Sequence, residues 1–234
     1  MTRISHESHV AEDLVGVARS LHSAVSTQAT LDAICRLAVG AVDGAEHAAV
    51  TLVRGDSFTT VAASSDVPAL IDCMQYETGQ GPCLDAIREH ESFMTHDLSK
   101  ERRWPQFTSR VVRSAGIRSM LAERLFLDSD TLGALNLYAE PTSAFTERSE
   151  AFAAMFAAHA AVAYQAARDH DKSVNLEIAL HSCRRIGMAM GIVMTREAVT
   201  EQQAFEALKR VSQKRNRKLA DVADGVIVAG LLER

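Results

Sequence analysis

The sequence has no long hydrophobic run and few cysteines. No apolar stretch reaches the roughly 18 residues of a membrane span, and the N-terminal segment MTRISHESHVAED lacks the apolar core of a signal peptide. We therefore expect a cytoplasmic protein with no membrane partner. The four cysteines show no CxxC spacing, so we interpret each as a reduced, buried thiol rather than part of a disulfide framework or zinc site: Cys35, Cys73, Cys83 and Cys183.

Motifs that carry catalysis are also missing. The chain contains no HExxH, no phosphate-binding loop and no nucleophile motif, so we expect neither an enzyme nor a metal site. An enzyme or haem sensor that uses Cys83, His90 and His96 stays an alternative, although lone histidines are more often structural.

Charge is distributed unevenly along the chain. Residues 1–171 contain 14 basic and 23 acidic residues, a net charge of −9, whereas residues 172–234 contain 11 and 7, a net charge of +4. Opposite signs in the two parts indicate two domains with different partners.

The spacing of apolar residues over residues 10–168 predicts helix, helix, strands, helices, strands and helix. Turn residues between the β-rich runs predict hairpins at Arg54-Gly55-Asp56 and Asp128-Ser129-Asp130. This order is typical of an α+β domain with an antiparallel sheet.

Two of these helices have apolar faces that we expect to pair in a homodimer, as a four-helix bundle. Their apolar residues are Leu14, Val17, Leu21 and Val25 on the first helix, and Phe152, Met155, Phe156, Val162 and Ala163 on the last.

Residues 173–234 show three helical segments and no strand pattern. The second helix opens with a capping box, in which Gln203 can reach back to the amide of Thr200. Roughly 60 residues in three helices bury little surface alone, so we expect this module to pack on a neighbour or a twin.

The first of these helices contains HSCRRIGMAMGIVM. A helical wheel places Arg185 and Ala189 outside an apolar arc, with Arg184 and Gly191 at its edge, where a ligand could approach the glycine backbone. The arc itself contains Leu176, Ala179, Leu180, Cys183, Ile186, Gly187, Met190, Val193 and Met194.

The second helix runs into the basic stretch KRVSQKRNRK, residues 209–218, which has six basic and no acidic residues. A solvated charged face is one interpretation; a phosphate backbone is the natural partner in an otherwise acidic chain. Phe205 is the only aromatic residue nearby, which favours a folded nucleic acid over stacking of single-stranded bases.

ALHSCRRIGMAMGIVM followed by VTEQQAFEALKRVSQKRNRKLADVA resembles the ANTAR domain, a three-helix RNA-binding module of bacterial antitermination regulators. ETGQGPCLDAI and the order of helices and strands before it resemble a GAF domain, a sensory module. The resemblance implies a GAF domain with an N-terminal helix over residues 1–168, a linker or helix continuation over 169–174, and an ANTAR domain over 175–234. The expected fold is thus an α+β GAF domain followed by an all-α three-helix domain.

The resemblance also implies a function: an antitermination regulator whose ANTAR domain binds hairpin loops in leader transcripts. Whether a small-molecule effector binds the GAF domain stays open, and a DNA-binding factor of the helix-turn-helix kind is the alternative. Cys183 and Met190 stand where many ANTAR domains have arginine and lysine. The implied RNA-binding residues are Arg184, Arg185, Ala189, Gly191, Lys214, Arg215, Asn216, Arg217 and Lys218.

Overall fold

The computed structural model describes residues 16–17, 19–21, 24, 26–55, 57–126 and 132–230. The chain divides into two compact units, with the boundary between His170 and Asp171. Leu14, Val25 and the predicted turn at residues 128–130 lie outside the described residues.

The first unit is an α+β domain, as predicted. Its strands form one antiparallel sheet in the order β2-β1-β5-β4-β3. The strands are β1 (His47–Arg54), β2 (Ser57–Ala63), β3 (Phe93–Thr95), β4 (Ser119–Phe126) and β5 (Leu132–Ala139). The helices are α1 (Thr27–Ala41), α2 (Asp66–Thr78), α3 (Pro82–Glu89), α4 (Pro105–Ser114) and α5 (Glu147–Glu197), which continues into the second unit.

Local sequence signals set these boundaries. Ser26 caps α1, because its hydroxyl accepts a hydrogen bond from the Ala29 amide at 3.2 Å. The predicted hairpin between β1 and β2 is confirmed: Arg54 pairs with Ser57, and Gly55 adopts the left-handed conformation with φ of 57°.

The sheet has two covered faces. One packs against α1 and the first part of α5, through residues such as Ile34 and Phe156. The other packs against α2 and α3, and α4 joins this core through Phe107, in one cluster with Tyr138. Val17 and Leu21 are buried in the first of these cores, in the same cluster as Phe152 and Phe156. The prediction that these residues form the surface between two chains was therefore wrong, because a single chain already buries them.

The second unit is helical, as predicted. It contains the last part of α5, α6 (Glu201–Arg215) and α7 (Leu219–Ala229). The predicted capping box is confirmed. The Thr200 hydroxyl accepts a hydrogen bond from the Gln203 amide, and the Gln203 side chain accepts one from the Thr200 amide. Residues 169–174, expected as a linker or helix continuation, are helical. In the described ranges no helix is long and apolar enough to cross a lipid bilayer.

Candidate RNA-binding surface and sensory core

The core of the second unit holds its three helices together with small and branched side chains. Ala189 and Val193 of α5 lie against Ala204 and Leu208 of α6, and α7 completes the cluster. The α7 residues in this core are Val222, Ala223 and Val226.

The predicted basic residues lie on the tight turn between α6 and α7. Asn216 ends α6 in the left-handed conformation, with φ of 48°, which asparagine tolerates better than most residues. Ser212 fixes the turn: its hydroxyl donates to the Arg217 carbonyl oxygen at 2.6 Å, and its carbonyl oxygen accepts from the Arg217 amide at 3.0 Å. Lys214 to Lys218 are all exposed on this turn. A rigid turn that presents four cations is suited to a phosphate backbone.

Arg184 and Arg185 lie on α5, and Arg185 contacts α7. Arg184 is exposed, whereas Arg185 Nε donates to Asp224 Oδ1 of α7 at 2.5 Å. The two arginines therefore differ: Asp224 offsets part of the charge of Arg185.

The helical wheel was wrong for several residues of α5. Ala189 was placed outside the apolar arc and among the RNA contacts, yet it is fully buried and out of reach of any ligand. Gly187 was placed inside the arc and is exposed, as are four other residues of that arc: Leu176, Ala179, Leu180 and Cys183. The reason is that the buried side of α5 is centred on Ala189 and Val193, and of the predicted arc only Ile186, Val193, Met190 and Met194 reach this core. Gly191 is exposed on the wall of a surface groove, with open space around its Cα.

Two of the four cysteines are buried and two are exposed. Burial raises the pKa of the Cys35 and Cys83 thiols to about 12 in each case, so both are inert under ordinary conditions. Cys73 and Cys183 are exposed, so the interpretation as buried residues was wrong for these two. His90 and His96 are exposed as well, unlike Cys83, with which the haem alternative grouped them.

Between α2 and the sheet lies a buried polar network that the sequence did not predict. Asp72 is fully buried and accepts hydrogen bonds from Tyr138 Oη, from Thr60 Oγ1 at 2.9 Å and from Gln75 Nε2 at 3.0 Å. Asn136 Nδ2 donates to Thr51 Oγ1 at 3.1 Å in the same network. Polar side chains from the sheet and one helix thus converge on a single carboxylate.

Burial controls the ionisation of this carboxyl group. Desolvation raises the pKa of Asp72 from 3.8 to about 6, and the hydrogen bond from Tyr138 is the largest influence opposing that rise. Burial and the nearby Asp72 together raise the pKa of Tyr138 well above its usual value. The carboxyl group of Asp72 therefore gains or loses its proton in the mildly acidic pH range.

The loop TGQGPC connects this network to α3. Gln75 Oε1 accepts a hydrogen bond from the Cys83 amide at 3.0 Å, so the loop passes close over that side chain. Gly81 has φ of 143°, and a Cβ atom there would lie 2.2 Å from Gln75 Oε1. Gly79 also has a positive φ, 65°, but open space surrounds its Cα.

Replacing each of these two glycines with alanine is expected to lower the free energy of unfolding by a different amount. Gly81→Ala should lower the free energy of unfolding by about 2 kcal/mol, because it adds a steric conflict to backbone strain, whereas Gly79→Ala should cost roughly 1 kcal/mol from strain alone. Urea unfolding followed by fluorescence measures both, since the only tryptophan, Trp104, is buried in this unit. Equal costs for the two variants would contradict the contact with Gln75.

The comparison with known families decides the identity. Residues 24–165 match the GAF domain family, and residues 175–227 match the ANTAR domain family. The chain is a GAF–ANTAR protein. Both are regulatory domains. Among curated proteins, none matches this sequence.

Solved structures resemble the GAF domain of this GAF–ANTAR protein in fold. The GAF domain of a phosphoenolpyruvate-protein phosphotransferase from Coxiella burnetii is 15% identical, with a TM-score of 0.54, and the match covers 70% of this chain and 96% of that one. An N-acylhomoserine lactone dependent LuxR family transcription factor from Burkholderia cenocepacia is 17% identical, with a TM-score of 0.54, covering 68% of this chain and 96% of that one.

A third neighbour is an enzyme, free methionine-R-sulfoxide reductase from Neisseria meningitidis, at 17% identity and a TM-score of 0.50, covering 69% of this chain and 91% of that one. At such identities these likenesses show the fold of the GAF domain and no activity.

Proposed function

We propose that this GAF–ANTAR protein is a cytoplasmic transcription antitermination regulator, in which the GAF domain controls the binding of the ANTAR domain to hairpin RNA in nascent leader transcripts. The observation that carries the proposal is the exposed basic turn of residues 214–218, in a domain whose net charge is +4 over residues 172–234. Phosphate binding by such a cluster supplies affinity without reading sequence.

The proposed RNA surface consists of the turn and part of α5. Lysine and arginine side chains would neutralise phosphates, and Asn216 at the apex can contact a base edge or a sugar. Arg185 contributes less, because Asp224 already pairs with it. The proposed contacts are Arg184, Arg185, Gly191, Lys214, Arg215, Asn216, Arg217 and Lys218; buried Ala189 is not among them.

For the sensory domain, we propose that the signal acts through the side of the sheet that carries Asp72. A small-molecule effector is one candidate signal. Any effector must bind two arrangements of the protein with different affinities, or it cannot change RNA binding. The buried network is suited to this, because a carboxylate that depends on five neighbouring donors responds to a small displacement of any of them.

We also propose that the protein is a homodimer. With Val17, Leu21, Phe152 and Phe156 buried inside one chain, the exposed apolar residues of α5 are left as candidates for the interface. Of those residues, Met155 is 41% and Val162 is 69% exposed. Light scattering at micromolar concentration should give twice the monomer mass of 25.4 kDa.

Competition binding tests the RNA proposal against the DNA alternative. A hairpin RNA selected on the full chain from a pool with random loops is expected to stay bound when duplex DNA of the same length is added in hundredfold excess. An RNA duplex without a loop is the matched control and should compete weakly. Displacement by duplex DNA as readily as by the hairpin itself would favour a DNA-binding factor.

A further inference from the structure

The ion pair between Arg185 of α5 and Asp224 of α7 places a carboxylate beside a proposed RNA contact. Arg185 Nε donates to Asp224 Oδ1 at 2.5 Å. The side chain of Arg185 is 29% exposed and that of Asp224 is 49% exposed, so solvent reaches both partners. Carboxylates and phosphates both pair with guanidinium groups, so Asp224 and an RNA phosphate compete for the same cation.

Helix geometry places this pair close to the basic turn. Asp224 follows Lys218, the last residue of the turn, by six residues, which corresponds to about 9 Å along α7. The guanidinium group of Arg217 lies over the start of this helix, because its Nη2 donates to the Asp221 carbonyl oxygen at 3.4 Å. A phosphate bound at Lys218 therefore lies roughly one Debye length from Asp224 at 0.1 M salt.

The pair lowers the positive charge that this part of the domain offers to RNA. The exposed residues Arg184 and Lys218 each present a cation to solvent, whereas Arg185 and Asp224 together have no net charge. Phosphate binding supplies affinity without reading sequence, so each available cation raises the affinity for every RNA. A carboxylate that occupies one of these cations lowers the affinity for RNA of any sequence.

We propose that Asp224 limits sequence-independent RNA binding by keeping Arg185 paired and unavailable to phosphate groups. This inference rests on the proposed function and names a residue that sets its specificity. Asp224 acts through Arg185 and is not itself an RNA contact. An RNA that uses Arg185 must first displace the carboxylate, and this cost applies whatever the sequence of the RNA.

Asp224→Asn tests the proposal, because it removes the charge and keeps the size of the side chain. The variant should bind a hairpin RNA about three- to fivefold more tightly than the wild type at 0.1 M salt, as expected for an exposed ion pair. The slope of log affinity against log salt should become steeper by about one, because one more cation releases counterions. An RNA duplex without a loop should gain at least as much, since phosphate contacts do not read sequence. Titrations of the full chain at several salt concentrations measure these effects.

Glu206→Gln is the matched control. Glu206 also pairs with a cation, Lys209 Nζ at 3.6 Å, and its side chain is 53% exposed. It lies nine residues before Arg215, which corresponds to about 13 Å along α6 and exceeds the Debye length at this salt concentration. This variant removes the same charge from the same domain and should change the affinity for either RNA by less than about 1.5-fold. Equal gains from Asp224→Asn and Glu206→Gln would overturn the proposal in favour of an effect of net charge.

A double variant shows whether Asp224 acts through Arg185. Adding Arg185→Ala to Asp224→Asn should remove the gain in affinity and the gain in salt slope, because no released cation remains. A gain that persists without Arg185 would mean that Asp224 repels phosphates directly, and it would overturn the proposal.

The direction of the change separates the remaining explanations. Weaker binding by Asp224→Asn would mean that the carboxylate holds Arg185 in place for RNA, and unchanged binding would mean that Arg185 does not reach a phosphate; either result overturns the proposal. Circular dichroism checks that helix content is unchanged, and Asp224→Ala, with the residue that most favours a helix, should give the same gain. Displacement of the hairpin from the wild type by duplex DNA would count against the proposed function alone, because the gain on the loopless RNA duplex tests Asp224 separately.

Discussion

Replacing Arg215, Arg217 and Lys218 together with alanine is expected to weaken the binding of hairpin RNA on the order of ten- to a hundredfold at about 0.1 M salt. The three residues lie on an exposed turn, where each can neutralise a phosphate and release counterions. The slope of log affinity against log salt should therefore become shallower by about two to three. Titrations at several salt concentrations, with circular dichroism unchanged, measure both effects.

A matched triple substitution separates this local effect from net charge. Arg36, Arg102 and Arg113 are exposed in the GAF domain, and changing all three to alanine removes the same charge. This control should leave the salt slope unchanged and the affinity within about twofold, because long-range attraction is screened at this salt concentration. If both triples weaken binding equally, the turn is a solvated charged face and not the RNA contact.

Asp72→Asn is expected to flatten the pH dependence of GAF domain stability between about pH 4 and pH 6. Burial raises the pKa of Asp72 in the folded state from 3.8 to about 6, so the folded state binds the proton more tightly than the unfolded state does. Stability from this group is therefore full below pH 4 and is lost as pH rises through 6. A shift of roughly two pH units corresponds to about 3 kcal/mol.

Glu123 provides the comparison for that experiment. Burial raises the pKa of Glu123 from 4.5 to about 7. The stability that protonated Glu123 contributes is therefore lost as pH rises through 7, at higher pH than the contribution of Asp72. Glu123→Gln should flatten the profile up to pH 7 and leave the contribution of Asp72 in place. Urea unfolding of the full chain, followed by Trp104 fluorescence, gives the profiles. An Asp72→Asn profile that keeps the wild-type slope between pH 4 and 6 would contradict the buried carboxylate.

The order of elements in the GAF domain was predictable because each signal is local. Turn residues mark the β1–β2 hairpin, and TGQGP separates α2 from α3. The Asp72 network was missed because its members are far apart in sequence and meet only through the fold. A signal existed, however: Pro68, Ile71, Asp72 and Gln75 have the spacing of a buried helix face, and two of the four are polar.

The basic turn was predictable from composition, since six cations without an acid stand out in an acidic chain. The orientation of α5 was not predictable, because a helical wheel shows how broad an apolar arc is but not which part of it packs against other helices. Ala189 was therefore assigned to the RNA surface although it is buried, and Gly187 to the core although it is exposed. Which part of a broad apolar arc packs inside a chain depends on where the partner helices lie, and helix periodicity does not contain that information.

Lysine footprinting tests the RNA-binding surface most directly, because the chain has only five lysines, distributed over both domains. The full chain is acetylated briefly with and without a saturating hairpin RNA, and mass spectrometry measures the modification rate of each lysine. Lys214 and Lys218 on the turn are expected to be protected at least several-fold, while Lys100 in the GAF domain reacts equally in both samples. Equal reaction rates for Lys214 and Lys218 with and without bound RNA would contradict the proposed surface.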